Sequence, residues 1–226
     1  MIERKFVTEK IKEFQIGEFI KHSLNNVGLS STKLQRTPLG EKIVVSAARP
    51  GLIVGKGGQN IKQLTKTLKK RFNLENPQIA ISEVENPNLD VNIVAERIAD
   101  TMVRYGTTKF KGIGHKVMTD VMRAGAKGIE IIISGKIPSA RAKSWRFYSG
   151  YLKKCGEVAL TEVKVAFATA NLKSGTVGIK VSIMPPNVKL PDHVEIIEQK
   201  PEVKDTKVSE APQEPKEEIK ETIVTG

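Results

Sequence analysis

The sequence predicts an α+β fold: an N-terminal segment and first domain over residues 1–86, a second α+β domain over 87–191, and an acidic, flexible tail over 192–226. Three observations predict it. Along the first half, apolar spacing switches in the order helix, strand, strand, short helix, glycine loop, helix, strand. After Asn86-Pro87-Asn88 the pattern restarts as two helices and four strand-like segments, an economical arrangement of helices on one face of a small antiparallel sheet. Beyond Pro191 the composition turns to Glu, Lys, Pro, Thr and Val without a period, as in chains that bury no core.

Each element has its own signal. Ile16, Phe19, Ile20 and Leu24 recur at helical spacing, with Gly28 placed as a C-terminal cap. Val7, Ile11 and Phe14 form an earlier stripe out of phase with these, which predicts a short separate helix ahead of the longer one. Strands follow over about 31–37 and 41–47, joined by a turn at Pro38-Leu39-Gly40. Pro50–Val54 allows a single helical turn, and Gln59–Phe72 carries Ile61, Leu64, Leu68 and Phe72 on one face among several lysines. Pro77 ends that connection, and Gln78–Val84 alternates as a strand. In the second half Val91, Val94, Ala95, Ile98 and Met102 line one helix, and Val117, Met118, Val121 and Met122 line another that closes at Gly125. Strands are predicted over 128–135, 142–152, 161–169 and 176–184. The last has Val177, Ile179, Val181 and Ile183 on one face, and Lys180 and Ser182 on the other.

Charge narrows the function. Lys and Arg number 37 against 25 Asp and Glu, a formal +12. Residues 192–226 hold ten acids and five lysines, net −5, which leaves +17 on residues 1–191. A folded body that basic repels itself and calls for a polyanion, nucleic acid before an anionic membrane. No apolar signal region follows the N-terminus, and no apolar run approaches the roughly 20 residues that span a bilayer, so no membrane partner is expected. Cys155 is the only cysteine, and His22, His115 and His193 are scattered. No disulfide framework, metal site or cofactor is expected, and no catalytic constellation stands at usable spacing.

The central motif is Ile53-Val54-Gly55-Lys56-Gly57-Gly58-Gln59-Asn60-Ile61. Glycines at its corners permit backbone conformations and close approach that a Cβ would block. Helix ends on both sides favour a phosphate, and Lys56 adds a mobile charge at the tip, with Lys62 just beyond. A nucleotide-binding P-loop does not fit. Gly51 lies one residue too close to Gly55-Lys56, and Gly57 stands where the magnesium-binding hydroxyl belongs. A dinucleotide loop fails as well, because Asn60 replaces the third glycine. An ordinary interhelical turn explains the glycines but not the lysine and the element order. The motif in this order resembles the GXXG clamp of KH domains, which holds single-stranded backbone.

Further pieces widen the resemblance: Gly125-Ala126-Lys127-Gly128-Ile129-Glu130, Ser134-Gly135-Lys136, Arg141-Ala142-Lys143-Ser144, Gly178–Met184 and Leu190-Pro191-Asp192-His193-Val194. Taken in order over about residues 4–198, the chain resembles the S three family of universal small-subunit ribosomal proteins, in its archaeal or eukaryotic rather than bacterial form. The resemblance implies a type-two KH domain and a C-terminal α+β domain in the head of the small subunit. It implies small-subunit rRNA as the main partner, head proteins of the S ten and S fourteen families as neighbours, and a cytoplasmic, non-enzymatic role. It also implies a place along the channel by which mRNA enters, at Phe110-Lys111-Gly112-Ile113-Gly114-His115-Lys116. Bacterial members are more basic there, and Gly112 and His115 stand at two of those positions. Lys111 and Lys116 remain, so mRNA contact and a plain solvated helix face both stand as readings. Lys136, Arg141, Lys143 and Arg146 are expected to meet rRNA phosphates, whereas Trp145 and Phe147, on the other side of their strand from Arg146 and Tyr148, are expected to pack in the core. The competing functions are a free KH-domain RNA-binding regulator or processing factor, and an enzyme such as a lyase or nuclease.

Overall fold

The computed structural model describes residues 2–24, 27–37, 40–74, 76–138, 140–188, 190–191 and 194. The Pro38-Leu39 turn and all of the predicted tail except Val194, Asp192-His193 included, lie outside the described residues. Met1–Leu190 forms one compact unit that contains two sheets and two main hydrophobic cores.

The first half begins with helix α1 (Ile2–Ser23), whose Glu3 in the first turn and Lys21 and His22 in the last suit the helix dipole. One helix replaces the two predicted. The Val7, Ile11 and Phe14 stripe belongs to it but remains exposed, while Ile16 and Ile20 are buried. At 3.6 residues per turn the two stripes lie about half a turn apart, so packing one face turns the other away. Gly28 is not the cap. The helix stops at Ser23, and Gly28, at φ 72°, instead leads into β1 (Leu29–Thr37) and accepts from the Ala48 N–H at 3.0 Å. Strand β1 pairs antiparallel with β2 (Gly40–Ala47). Helices α2 (Pro50–Val54) and α3 (Gln59–Phe72) follow, and β3 (Gln78–Glu83) pairs parallel with β2. Ile43, Val45, Ile53 and Leu68 close this core with Ile16 and Ile20.

In the second half α4 (Val91–Tyr105) is capped by the Asp90 carboxylate, which accepts from the Asn92 N–H. Asn92 Nδ2 also donates to the Ser30 carbonyl at 2.7 Å, tying α4 to β1. Helix α5 (Phe110–Arg123) follows, then β4 (Gly128–Gly135), β5 (Lys143–Gly150), a short α6 (Glu157–Thr161), β6 (Lys164–Leu172) and β7 (Gly175–Met184). The antiparallel sheet runs β5-β4-β7-β6. Ile129, Ile131, Ile133, Val177, Ile179, Val181 and Ile183 alternate onto its inner face beneath Val94, Ile98 and Met102 of α4 and Val117 and Val121 of α5. The helix α6 falls between the strands predicted over 142–152 and 161–169, where periodicity marked no element. Its Val158 packs with Leu152, Val163, Met184 and Val188 in a satellite core.

Candidate nucleic-acid interface

The glycine loop is built by a break between two helices. Gly55 ends α2 at φ 69° and ψ −177°, a region open essentially to glycine alone. A Cβ there would fall 2.6 Å from the side chain of Asn60. That side chain straps the loop, since Asn60 Nδ2 donates to the Leu52 carbonyl at 3.1 Å. Gly57 and Gly58 also take positive φ, at 61° and 73°, and neither has an atom within 4 Å of where a Cβ would stand. The close approach they permit is therefore toward solvent. Lys56 and Gly57 are exposed, as is Lys62 in the first turn of α3. No side chain caps α3 and no acid stands in its first turn, so the positive end of its dipole faces the open loop.

The second basic region gathers at the start of α5. Lys111 Nζ lies 4.7 Å from the centroid of the Trp145 ring, and Lys143 Nζ lies 5.0 Å from the same ring. Phe110 meets Trp145 edge-on at 5.5 Å and Phe147 at 6.4 Å. Phe147 is buried in the core, and Trp145 is half-buried against it. One indole thus serves as floor to two lysines far apart in sequence. Lys136 and Arg141 line one open cleft of about 380 Å³ with Thr107, Ile137 and Pro138. Lys116 does not join this group. Five residues along a helix carries it roughly 140° around from Lys111, onto the stripe of Gly112 and Arg123.

Helix α5 reaches β5 through a glycine. A Cβ on Gly114 would sit 2.9–3.0 Å from three carbons of the Phe147 ring. His115 lies against the edge of the same ring, 5.2 Å between centroids.

Arg146 stands apart from the other predicted cations. It points to the outer face of the sheet, pairs with Glu130 and lies 5.0 Å from the Tyr148 ring. Lys154 Nζ donates to the same Glu130 oxygen at 2.8 Å. Burial alone would push the Glu130 pKa up. The hydrogen bonds and charges of Lys154 and Arg146 outweigh it and hold the carboxyl below its ordinary value. Sequence reasoning passed over Glu130, Lys154 and the Asn60 strap. Alternation already put Glu130 on the face of Arg146 and Tyr148, but nothing local marked its partners. Among the described residues no group of three His, Cys, Asp or Glu side chains is placed to hold a metal, and no helix is long and apolar enough to cross a membrane.

A positive-φ GKGG turn between two helices, on a three-stranded sheet entered from an N-terminal helix, defines a KH-type RNA-binding protein. KH domains match over residues 15–89, and the C-terminal domain of ribosomal protein S3 matches over residues 98–183. The small ribosomal subunit protein uS3 of Methanosphaera stadtmanae is 41% identical over 226 residues, covering 99% of this chain and 88% of the relative. That of Methanocaldococcus jannaschii is 44% identical over 204 residues, 90% of this chain and 97% of the relative. The uS3 of Methanococcus maripaludis is 43% identical over 215 residues, 95% of this chain and all of the relative. The chain belongs to the uS3 family of small ribosomal subunit proteins, in its archaeal form.

Proposed function

We propose that the chain binds small-subunit rRNA in the subunit head through its two basic regions and lends cations to the channel by which mRNA enters. As a uS3 family member it is a structural, rRNA-binding constituent of the small ribosomal subunit, a role of binding rather than catalysis. The observation that carries the finer reading is the Trp145 indole beneath both Lys111 and Lys143. It joins the α5 segment to the β5 strand in one electropositive surface, with Lys136 and Arg141 in the neighbouring cleft. In this reading Gly55, Lys56, Gly57, Gly58 and Lys62 receive rRNA backbone, and Lys136, Arg141, Lys143 and Arg146 meet rRNA phosphates. Lys111 and Lys116 face mRNA from two sides of α5. Residues 1–86 and 87–191 act as two domains, each with its own sheet and core. Head proteins of the S ten and S fourteen families are the neighbours.

Sedimentation of native lysate through a magnesium-containing gradient tests the placement. Co-migration with small subunits and whole ribosomes through a moderate salt wash is expected, and confinement to light fractions would overturn it. Lys111→Glu with Lys116→Glu should slow translation of hairpin-bearing templates more than of unstructured ones. Equal rates on both would remove mRNA contact from the reading.

A further inference from the structure

The outer face of the four-stranded sheet, opposite α4 and α5, bears a second kind of surface. The register lines up one straight row across all four strands: Phe167 beside Lys180, Lys180 beside Ile132, Ile132 beside Arg146. The neighbouring row ends in Tyr148. Phe167 is 68% exposed and Tyr148 46%, unusual for rings on a sheet. Each carries a cation: Lys180 Nζ lies 5.6 Å from the Phe167 centroid, and Arg146 Cζ 5.0 Å from that of Tyr148. The row on the far side, Thr169, Gly178, Ser134 and Ser144, is small and leaves the rings unobstructed from that direction.

We propose that this face is a stacking platform for single-stranded RNA, with bases on Phe167 and Tyr148 and phosphates on Lys180 and Arg146. The inference rests on the RNA-binding reading above and adds a surface distinct from the GKGG loop and from the Trp145 patch. Charge selects the occupant. Glu130 is the only acid at the strand positions of this face, and it is buried and occupied by Arg146 and Lys154. What remains open to solvent is rings and cations, complementary to a polyanion that has flat bases. Protein interfaces instead lose charge toward their centre, where this face has Lys180. With strands about 4.8 Å apart, the ends of a row stand about 14 Å from each other, room for a short run of nucleotides.

The test uses the full chain and a short fluorescent single-stranded RNA of mixed sequence, titrated at several salt concentrations. Phe167→Ala and Tyr148→Ala should each weaken binding about tenfold without changing its salt slope, as stacked bases do. Lys180→Gln should lower the log-log slope by about 0.7, the value for one phosphate on a single strand. Ultraviolet crosslinking should attach RNA to the peptides holding residues 148 and 167 in the intact protein. The loop variant Lys56→Asp with Gly57→Asp separates the two surfaces: it should weaken binding yet leave these crosslinks in place. Wild-type affinity in both ring variants, while the loop variant fails, would overturn the platform and leave the RNA-binding reading standing. No RNA binding by the wild-type chain would overturn both. Ring variants that bind RNA normally but are lost from small subunits would overturn the platform in favour of a protein partner on this face.

Discussion

Two glycines in one helix should respond to alanine with different outcomes, and the difference measures how closely α5 approaches β5. Gly112 is exposed, with nothing within 4 Å of where an alanine methyl would stand, and Gly114 is buried, its added methyl 2.9–3.0 Å from Phe147. Either substitution removes a helix-interior glycine, a gain of up to about 1 kcal/mol from backbone entropy. For Gly112→Ala that is the whole effect. With about 2–4 °C per kcal/mol at this chain length, Tm should rise by a few degrees. Gly114→Ala has the same gain but must displace a ring that Phe110 and His115 already flank. Carbons settle at about 3.5–4.0 Å, so the ring or the helix must yield by at least half an ångström. Overpacking of this kind costs about 1–3 kcal/mol. The entropy gain is common to both variants and cancels, so the two should differ by that amount, about 2–12 °C in Tm. Thermal melts followed by circular dichroism, at one protein concentration, read it directly. Two variants with coincident melting curves would refute the close contact and the seating of α5 on Phe147.

Gly55→Ala should destabilise the fold by about 1–3 kcal/mol in urea titration, because its φ and ψ suit glycine and the methyl would dislodge the Asn60 strap. Lys56→Asp with Gly57→Asp should leave that stability nearly unchanged, since both positions are exposed and open. RNA affinity, measured by anisotropy, should still fall through charge repulsion at the tip. Glu130→Gln should cost about 1–2 kcal/mol at neutral pH, a discounted figure because Arg146 and Lys154 are each about half exposed. The folded-state pKa of Glu130 is depressed, so its contribution is present above the unfolded value of about 4.3 and is lost as pH falls through the folded one. The gap between melts of wild type and variant should therefore narrow progressively as pH falls below the unfolded value; a gap that does not narrow with acid would assign the effect to packing.

Sequence periodicity read the elements well wherever one face was buried. Strand β4 runs over the predicted 128–135, and α3 over the predicted 59–72. It erred at α1, where the second apolar stripe was real but uncovered, because periodicity reports which residues share a face and not what covers it. It missed α6, a five-residue helix that buries too little to leave a period. Composition found the basic residues near α5 and β5, yet could not tell Lys143, above Trp145, from Arg146, three residues on and paired with Glu130. That distinction is set by strand parity together with a carboxylate that the register of the preceding strand brings alongside. The Asn60 strap escaped for a similar reason: its partner is a backbone carbonyl, which no side-chain pattern reveals.

The two basic regions differ in how freely their cations move, and this bears on what each can hold. Around the α5–β5 patch Lys109, Lys111 and Lys143 lie over aromatic rings, at 4.7–5.4 Å. Each such contact favours one placement of a long side chain by about 0.5–1 kcal/mol at an exposed site. Ordering a comparable side chain at an interface costs about 0.5–1.5 kcal/mol, so part of that cost is already met in the free protein. A preset array of charges gains most against a partner whose phosphates are themselves fixed, as in folded rRNA. Lys56 projects from a two-glycine tip without such a ring among the described residues. It can follow a backbone that changes position, and it forgoes the preset geometry in doing so. On the proposed reading the Trp145 patch suits a fixed RNA surface, while the loop suits a flexible one. On this argument, truncating Trp145 should weaken binding to structured RNA more than to single strands, and altering the loop should do the reverse.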